Sequence, residues 1–499
     1  MAENAEQTIG YPRMRRSTTL AGIIETMEWV IIALILAFIF RAFVMEAFRI
    51  PTGSMADTLR GAHFHLRCTR CGYGYDVGGD YYTTLKPQCP SCGYVLPSGT
   101  PMSVSNGDRI LVLKCIYQFV EPKRWDVVVF KNPLNPGENY IKRMIAGAGE
   151  TVEIVDGDIY INGKIARKPA NVQEELWMPI YDNDYQPPAE MMKRSGEITK
   201  EPSNENFLWR QPFENDAVSH WELNADGPTV FALDSDPEQV NIIYYDTQIG
   251  NDFKAKYAYN NSINYFRRPS CSDLMVRFYV TPGSSEGLIG ITLRKYGTYY
   301  HGHVNFSGEM IIERAEGNIS FELTRRRITN VTKDEAVRLR FANVDHQLVL
   351  EFGNEKLRYD LGPGPTDAGE ITQKDPSEVR IFGAGKIRLS HLSLFRDIYY
   401  TSDGNLRAGE GNPFTLNRDE YFVCGDNSPY SQDARRWETE GIGNNGIRYR
   451  TGTVPRDYLV GKAILVYWSD AFKPHENFMP VIPNIGRIQF IQSGSGKKL

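Results

Sequence analysis

The sequence predicts a mainly β chain carried by one N-terminal apolar helix, and three observations predict it. Runs that alternate apolar and polar residues recur from Arg124 onward, the period of strands with one buried face. The 28 Tyr and 24 Phe among 499 residues favour pleated, half-buried surfaces. The exception lies near the N-terminus, where Trp29 to Phe40 run twelve residues without a charge. This length implies two or three domains, and 41% hydrophobic with 23% charged residues is a globular composition. A net charge of −5 lends no support to nucleic-acid binding, and no such partner is expected.

In chain order, residues 1–20 read as a cytoplasmic tail and Ala21 to Phe48 as one long helix. Twelve uncharged residues fall short of the roughly 20 that a span needs. Glu25, Glu28 and Arg41, however, stand near the ends of a 20-residue window, where charges reach the interface. Trp29 suits an interfacial anchor. The expectation is a single-pass transmembrane helix over 21–48, seated in the lipid bilayer of the cell's inner membrane. The cluster Arg13, Arg15 and Arg16 keeps the N-terminus cytoplasmic, and the chain beyond about residue 45 outside. A buried core helix competes on length alone. A cleaved secretory signal would need a small-x-small site, which the bulky run after the apolar stretch lacks.

Next comes Phe48-Arg-Ile-Pro-Thr-Gly-Ser-Met-Ala-Asp-Thr-Leu59. Pro51 blocks a helix and Gly53 frees the backbone for a tight turn, which presents Ser54. A serine in a turn is usually only a turn residue; as a nucleophile it needs a base. No GxSxG elbow occurs, and none of the eight His stands in a triad setting. A lysine stripped of water can serve instead. Arg124 to Pro133 is a strongly β-prone run ending in turn residues, and Asn139 to Ala146 follows as a second strand. With period two, Tyr140, Lys142 and Met144 share one face, so Lys142 is flanked by a ring and a thioether. Arg143 points away and cannot be the base, because guanidinium does not deprotonate. The competing reading of Lys142 is a snorkelling strand lysine, and periodicity does not choose between the two.

Taken together, Pro51-Thr-Gly-Ser-Met55, Gly107-Asp-Arg-Ile-Leu111, Arg124-Trp-Asp-Val-Val-Val-Phe130, Tyr140-Ile-Lys-Arg143, Val423-Cys-Gly-Asp-Asn427 through Arg435, Val454 to Ala463 and Trp468-Ser469 resemble the type I signal peptidases. The resemblance covers about residues 20–65, 104–165 and 418–472, roughly a third of the chain. It implies an antiparallel β catalytic core, a Ser–Lys dyad of Ser54 and Lys142, and an acyl-enzyme route with no catalytic cofactor. It further implies oxyanion donors in the Ser54 N–H and the Thr52 hydroxyl, with Met55, Arg143, Asp426, Ser431, Asp433 and Arg435 in support, Ser431 holding the lysine amine. Substrates would be secretory preproteins with small residues at −1 and −3. Two departures stand beside these positions: Ser428-Pro-Tyr430 replaces a polar stretch, and Ala434 replaces a hydroxyl residue.

Two segments fall outside that pattern. Cys68-Thr-Arg-Cys71 and Cys89-Pro-Ser-Cys92 lie 17 residues apart, each followed by Gly-Tyr. Two such knuckles suit one tetrahedral structural zinc at 66–97; disulfides are the rival in an oxidising compartment. Cys115, Cys271 and Cys424 read as small buried hydrophobes. Between Lys164 and Arg418, after an irregular stretch in which Trp177 to Tyr181 would pack on the catalytic body, alternating strands from 205 to 398 predict a jelly-roll-like β-sandwich. It resembles concanavalin and laminin-G folds, whose ligand would be a glycan or protein; Tyr296, Tyr299, Tyr300, His301 and His303 are the aromatic cluster suited to sugar. The peptidase domain is thus discontinuous, 49–165 and 400–480, with a tail over 481–499. The alternative function is a membrane-anchored binding protein with a decayed peptidase body.

Overall fold

The computed structural model describes residues 20–79, 87–97, 100, 102, 104–188, 190, 208–225, 227, 229–255, 259, 268–317, 319–329, 331–365, 368–402, 406–443, 446–469 and 484–494. The basic cluster at Arg13, Arg15 and Arg16, much of the stretch before residue 208 and the last five residues lie outside these.

The N-terminal helix Leu20–Ile39 continues as a π turn, Phe40–Val44. Gly22–Val44 is apolar and long enough to cross a membrane, and none of it is buried by the rest of the protein. The expected helix to Phe48 is too long. Met45–Arg49 is already a strand, paired antiparallel with Arg109–Leu113. A ladder partner 64 residues away decides the last turn, which local apolarity does not.

Among the described residues the main sheet has eight strands. Its path is Met45–Arg49, Arg109–Leu113, Leu459–Trp468, Val127–Asn132, Asn135–Ala146, Glu420–Cys424 and Val454–Pro455, with Gln489–Phe490 beside Leu459–Trp468. The predicted lysine hairpin is present, with Val128 opposite Lys142 and Phe130 opposite Tyr140. Leu459–Trp468 inserts between Arg109–Leu113 and Val127–Asn132, so the two distant halves of this body form one sheet. Val128, Phe130, Ile145, Phe422, Val423 and Trp437 pack its core.

Ala62–Arg67, Gly74–Gly78 and Val104–Asn106 make a small separate sheet from which the cysteine knuckles hang. The knuckles repeat one geometry: Cys68 N–H to Tyr73 O and Cys89 N–H to Tyr94 O, both 2.8 Å. Each is closed by a glycine at φ 78°, Gly72 and Gly93, where a side chain would be strained.

A third sheet system, 12-stranded among the described residues, is built on the long strands Leu274–Lys295 and Val379–Arg396, which pair antiparallel with each other. The turn expected at Asn343 to His346 is there, with Asp345 and His346 at positive φ between Val337–Val344 and Gln347–Phe352. One expectation changes. Met178–Asp182 pairs with Val379–Arg396, and Trp177 packs on Met275, Ala342 and Val344. This segment therefore joins the sandwich rather than the peptidase body, because its alternation of buried residues completes that sheet.

Candidate active site

The turn carrying Ser54 is tied at both ends by the Gly107-Asp108 segment. Ile50 N–H donates to Asp108 O, and Asp108 N–H to Arg60 O, both at 2.8 Å. Arg60 N–H reaches the Asp108 carboxylate at 2.7 Å. Gly107 sits at φ 74°, and a Cβ there would lie 2.3 Å from Ile50 O, so only glycine permits this approach. Inside the loop, Ala56 N–H donates to Gly53 O and Leu59 N–H to Met55 O. Met55 is fully buried with Ile50 and Leu59, which anchors the residue next to Ser54.

Lys142 and Ser54 meet. Lys142 Nζ lies 2.7 Å from Ser54 Oγ and donates to Ile141 O at 2.9 Å. The Tyr140 ring centroid stands 5.2 Å from Nζ. Only 4% of Lys142 and 8% of Ser54 is exposed. Burial lowers the lysine to about 8, against opposing pulls from Asp433 and Asp426.

A frame of two buried guanidinium–carboxylate pairs surrounds the amine. Arg143 grips Asp426 with bonds of 2.8 and 2.7 Å and donates to Trp125 O at 3.1 Å. Arg435 grips Asp433 at 2.9 and 2.7 Å. Its remaining N–H groups reach Thr401 Oγ1, Thr401 O and Ser428 O and Oγ. Gly425 N–H also donates to Asp433 at 2.9 Å. Ser428, one of the departures from the family pattern, thus supports Arg435, and Ala434 is simply buried.

Two expected placements differ. Ser431 is buried and its hydroxyl faces the Asp433 carboxylate, whereas the amine bonds Ser54 and the Ile141 carbonyl. Thr52 is exposed at the rim of the turn. Sequence reasoning missed two residues. Asn427 donates its side-chain N–H to Gly53 O at 2.8 Å and its backbone N–H to Ser54 O at 3.1 Å; its place beside Asp426 in the quoted motif was the available signal. Glu175 lies 3.3 Å from Arg143, and burial raises it to about 7. No local pattern marks it.

The four ribbon cysteines converge. Their Sγ atoms lie within 4.8 Å of one another, with Cys68 to Cys92 at 3.7 Å and Cys71 to Cys89 at 3.6 Å. A disulfide requires about 2.05 Å. A tetrahedral zinc with sulfur ligands at about 2.3 Å puts its sulfurs about 3.8 Å apart. The donor set and its spacing fit zinc. The aromatic cluster of the sandwich is divided: Tyr299 stacks against Arg294 and Arg380, whereas Tyr296 turns inward to Asp156.

The part of the chain that carries Lys142 is similar to signal peptidases. A family model described as signal peptidase, peptidase S26, matches residues 93–202 and 388–468; these include Lys142 and the Asp426 to Arg435 segment and skip most of the sandwich. Among curated proteins the chain is similar to Signal peptidase I of Rickettsia canadensis, 31% identical over 139 residues, 28% of this chain and 43% of the relative. It is also similar to Signal peptidase I of Rickettsia typhi, 31% identical over 129 residues, 26% of this chain and 39% of the relative. The chain spans less than half the length of these relatives. Among solved structures, the carbohydrate binding module CBM66 from Bacillus subtilis aligns at TM-score 0.25 and 8% identity, covering 37% of this chain and 95% of the module. Galectin LEC-6 of Caenorhabditis elegans aligns at 0.19 and 13%, covering 25% and 82%. Scores this low carry no weight for the sandwich's ligand.

Proposed function

We propose that the chain is a membrane-anchored serine endopeptidase that removes signal peptides from secretory preproteins. The observation that carries this reading is the 2.7 Å approach of a dry Lys142 amine to Ser54 Oγ. Neutral Lys142 takes the Ser54 proton as Oγ bonds to the scissile carbonyl carbon. The oxyanion is met by the Ser54 N–H and, after rotation of its exposed side chain, the Thr52 hydroxyl. Collapse breaks the C–N bond, and the proton on Lys142 passes to the leaving amine. Water, deprotonated by the same amine, then hydrolyses the ester. Arg143, Asp426, Asp433 and Arg435 hold the frame, and Asn427 holds the turn.

Gly22–Val44 anchors the body in a bilayer with the catalytic part on the outer side, and residues −1 and −3 of the substrate are small. Cys68, Cys71, Cys89 and Cys92 hold a structural zinc, whose four thiolates leave no position for water, so it serves the fold rather than the cleavage. The test is cleavage of a model preprotein followed by sequencing of the new N-terminus. Wild-type protein cuts after a small-x-small motif; Ser54→Ala and Lys142→Met remain folded and do not. Cleavage retained by either variant refutes the assignment.

A further inference from the structure

One side chain touches the nucleophile turn from outside the peptidase body. Tyr259 belongs to the inserted segment, well away from both stretches matched by the peptidase family model. It is 98% buried, since only 2% of it is exposed. Its ring is wedged between the turn and the ribbon. A Cβ added to Gly53 would lie 2.2 Å from Tyr259 Cε1 and 2.9 Å from Cζ, and one added to Gly78 would lie 2.9 Å from Cε1. Two glycines from two other parts of the chain therefore make room for one ring. Three more contacts fix it. The phenol donates to Ala62 O at 3.0 Å, its backbone carbonyl accepts from Gly78 N–H at 2.8 Å, and its ring stands 6.2 Å from that of His63. On the other side of the turn, Asn427 holds Gly53 O and Ser54 O. The residue before the nucleophile is thus clamped between the peptidase body and the insertion.

Resting on the assignment of Ser54 as nucleophile, we propose that the insertion completes the catalytic site: Tyr259 is a positioning residue that fixes the Gly53–Ser54 turn, and cleavage depends on the sandwich being docked. The ring bonds neither Ser54 Oγ nor Lys142. It acts by limiting the motion of the Gly53–Ser54 backbone, and a displacement of about 1 Å at a reacting group costs on the order of a hundredfold in rate. Substrate binding is untouched, so kcat falls and KM does not.

The experiment uses the full-length protein in detergent or vesicles, with a model preprotein as substrate and a serine-directed acylating probe. Tyr259→Leu removes the two ring atoms nearest Gly53 yet keeps an apolar filler. It lowers kcat by about tenfold or more with KM within about twofold, and Tyr259→Phe restores most of the rate. Gly53→Ala in the wild-type background abolishes most activity because its methyl meets the ring; in the Tyr259→Leu background the same change costs at least about tenfold less, a coupling that independent sites do not show. Equal penalties for Gly53→Ala in both backgrounds, or a Tyr259→Leu protein with unchanged kcat, overturn the proposal. If the wild-type protein neither cleaves nor takes the probe at Ser54, the underlying peptidase assignment fails instead, and that failure is visible before any Tyr259 variant is made.

Discussion

If Lys142 is the base, the pH dependence of cleavage reports its dryness. An exposed lysine titrates near 10.4, so at pH 7 about 0.04% of it is neutral. Burial brings Lys142 to about 8, which makes about 9% neutral at pH 7, a gain of about 200-fold in active base. Acting against this gain are Asp433 and Asp426, whose negative charge favours the ammonium. The expected profile of kcat/KM on a fixed preprotein peptide therefore climbs close to tenfold per pH unit below about 7, bends between about 7 and 9, and is level above that. From pH 7 to pH 9 the total rise is about tenfold. The assay is initial-rate cleavage from pH 6 to 10.5 in buffers of constant ionic strength, with Ser54→Ala as blank. A profile that is flat from pH 6 to 9 would show that Lys142 does not take the proton. A slope of one persisting beyond pH 10 would show that its amine is in open water.

Burial of charged groups sets two stability predictions. The folded-state pKa of Lys142 lies below its unfolded value, so the unfolded chain binds more protons between about 8 and 10.4 and stability rises with pH across that window. Below it, holding the amine dry costs up to about 3 kcal/mol; Lys142→Met should abolish cleavage and stabilise the protein by up to that amount at pH 7 in urea melts, a gain that shrinks as pH approaches 10.4. Asp433→Ala leaves the Arg435 guanidinium buried without its partner and should destabilise by about 3–5 kcal/mol, and Asp433→Ala combined with Arg435→Met should recover much of the loss. The purified protein should contain one zinc per chain by elemental analysis, and Cys68→Ser with Cys89→Ser should remove it and raise amide exchange across residues 62–78; metal-free protein with unchanged exchange would favour another role for the four thiols.

How much of this was legible in the sequence depends on the distance over which each feature is decided. Ser54 and Lys142 were legible only through the resemblance of the motifs around them, because the turn at Ser54 and the alternation in Tyr140–Met144 each left an ordinary structural reading open. The cysteine pairs were legible on their own, since spacing alone forms a knuckle. The helix end at Val44 was not, because Met45–Arg49 is apolar enough for either state and its ladder to Arg109–Leu113 decides. Trp177–Tyr181 failed likewise, its ladder partners lying more than 200 residues on. Tyr259, Glu175 and the turn-holding bonds of Asn427 express contacts between segments far apart in the chain, and no window of sequence contains both sides of them.

A dry lysine flanked by two carboxylates needs a physical reason to lose its proton at all. Bare Asp426 and Asp433 would each hold an ammonium in place and push the amine far above working pH. Each carboxylate, however, is gripped at two points by its own guanidinium, so the field at Nζ is that of two dipoles rather than two charges. With the frame nearly neutral, desolvation is left as the largest influence, and the pKa falls. Arg435 thus does more than brace the fold: its charge lowers the lysine against the pull of Asp433, which on the proposed reading helps Lys142 act as a base. The cost is four charges kept from water, which explains why every remaining N–H of Arg435 is spent on Thr401 and Ser428.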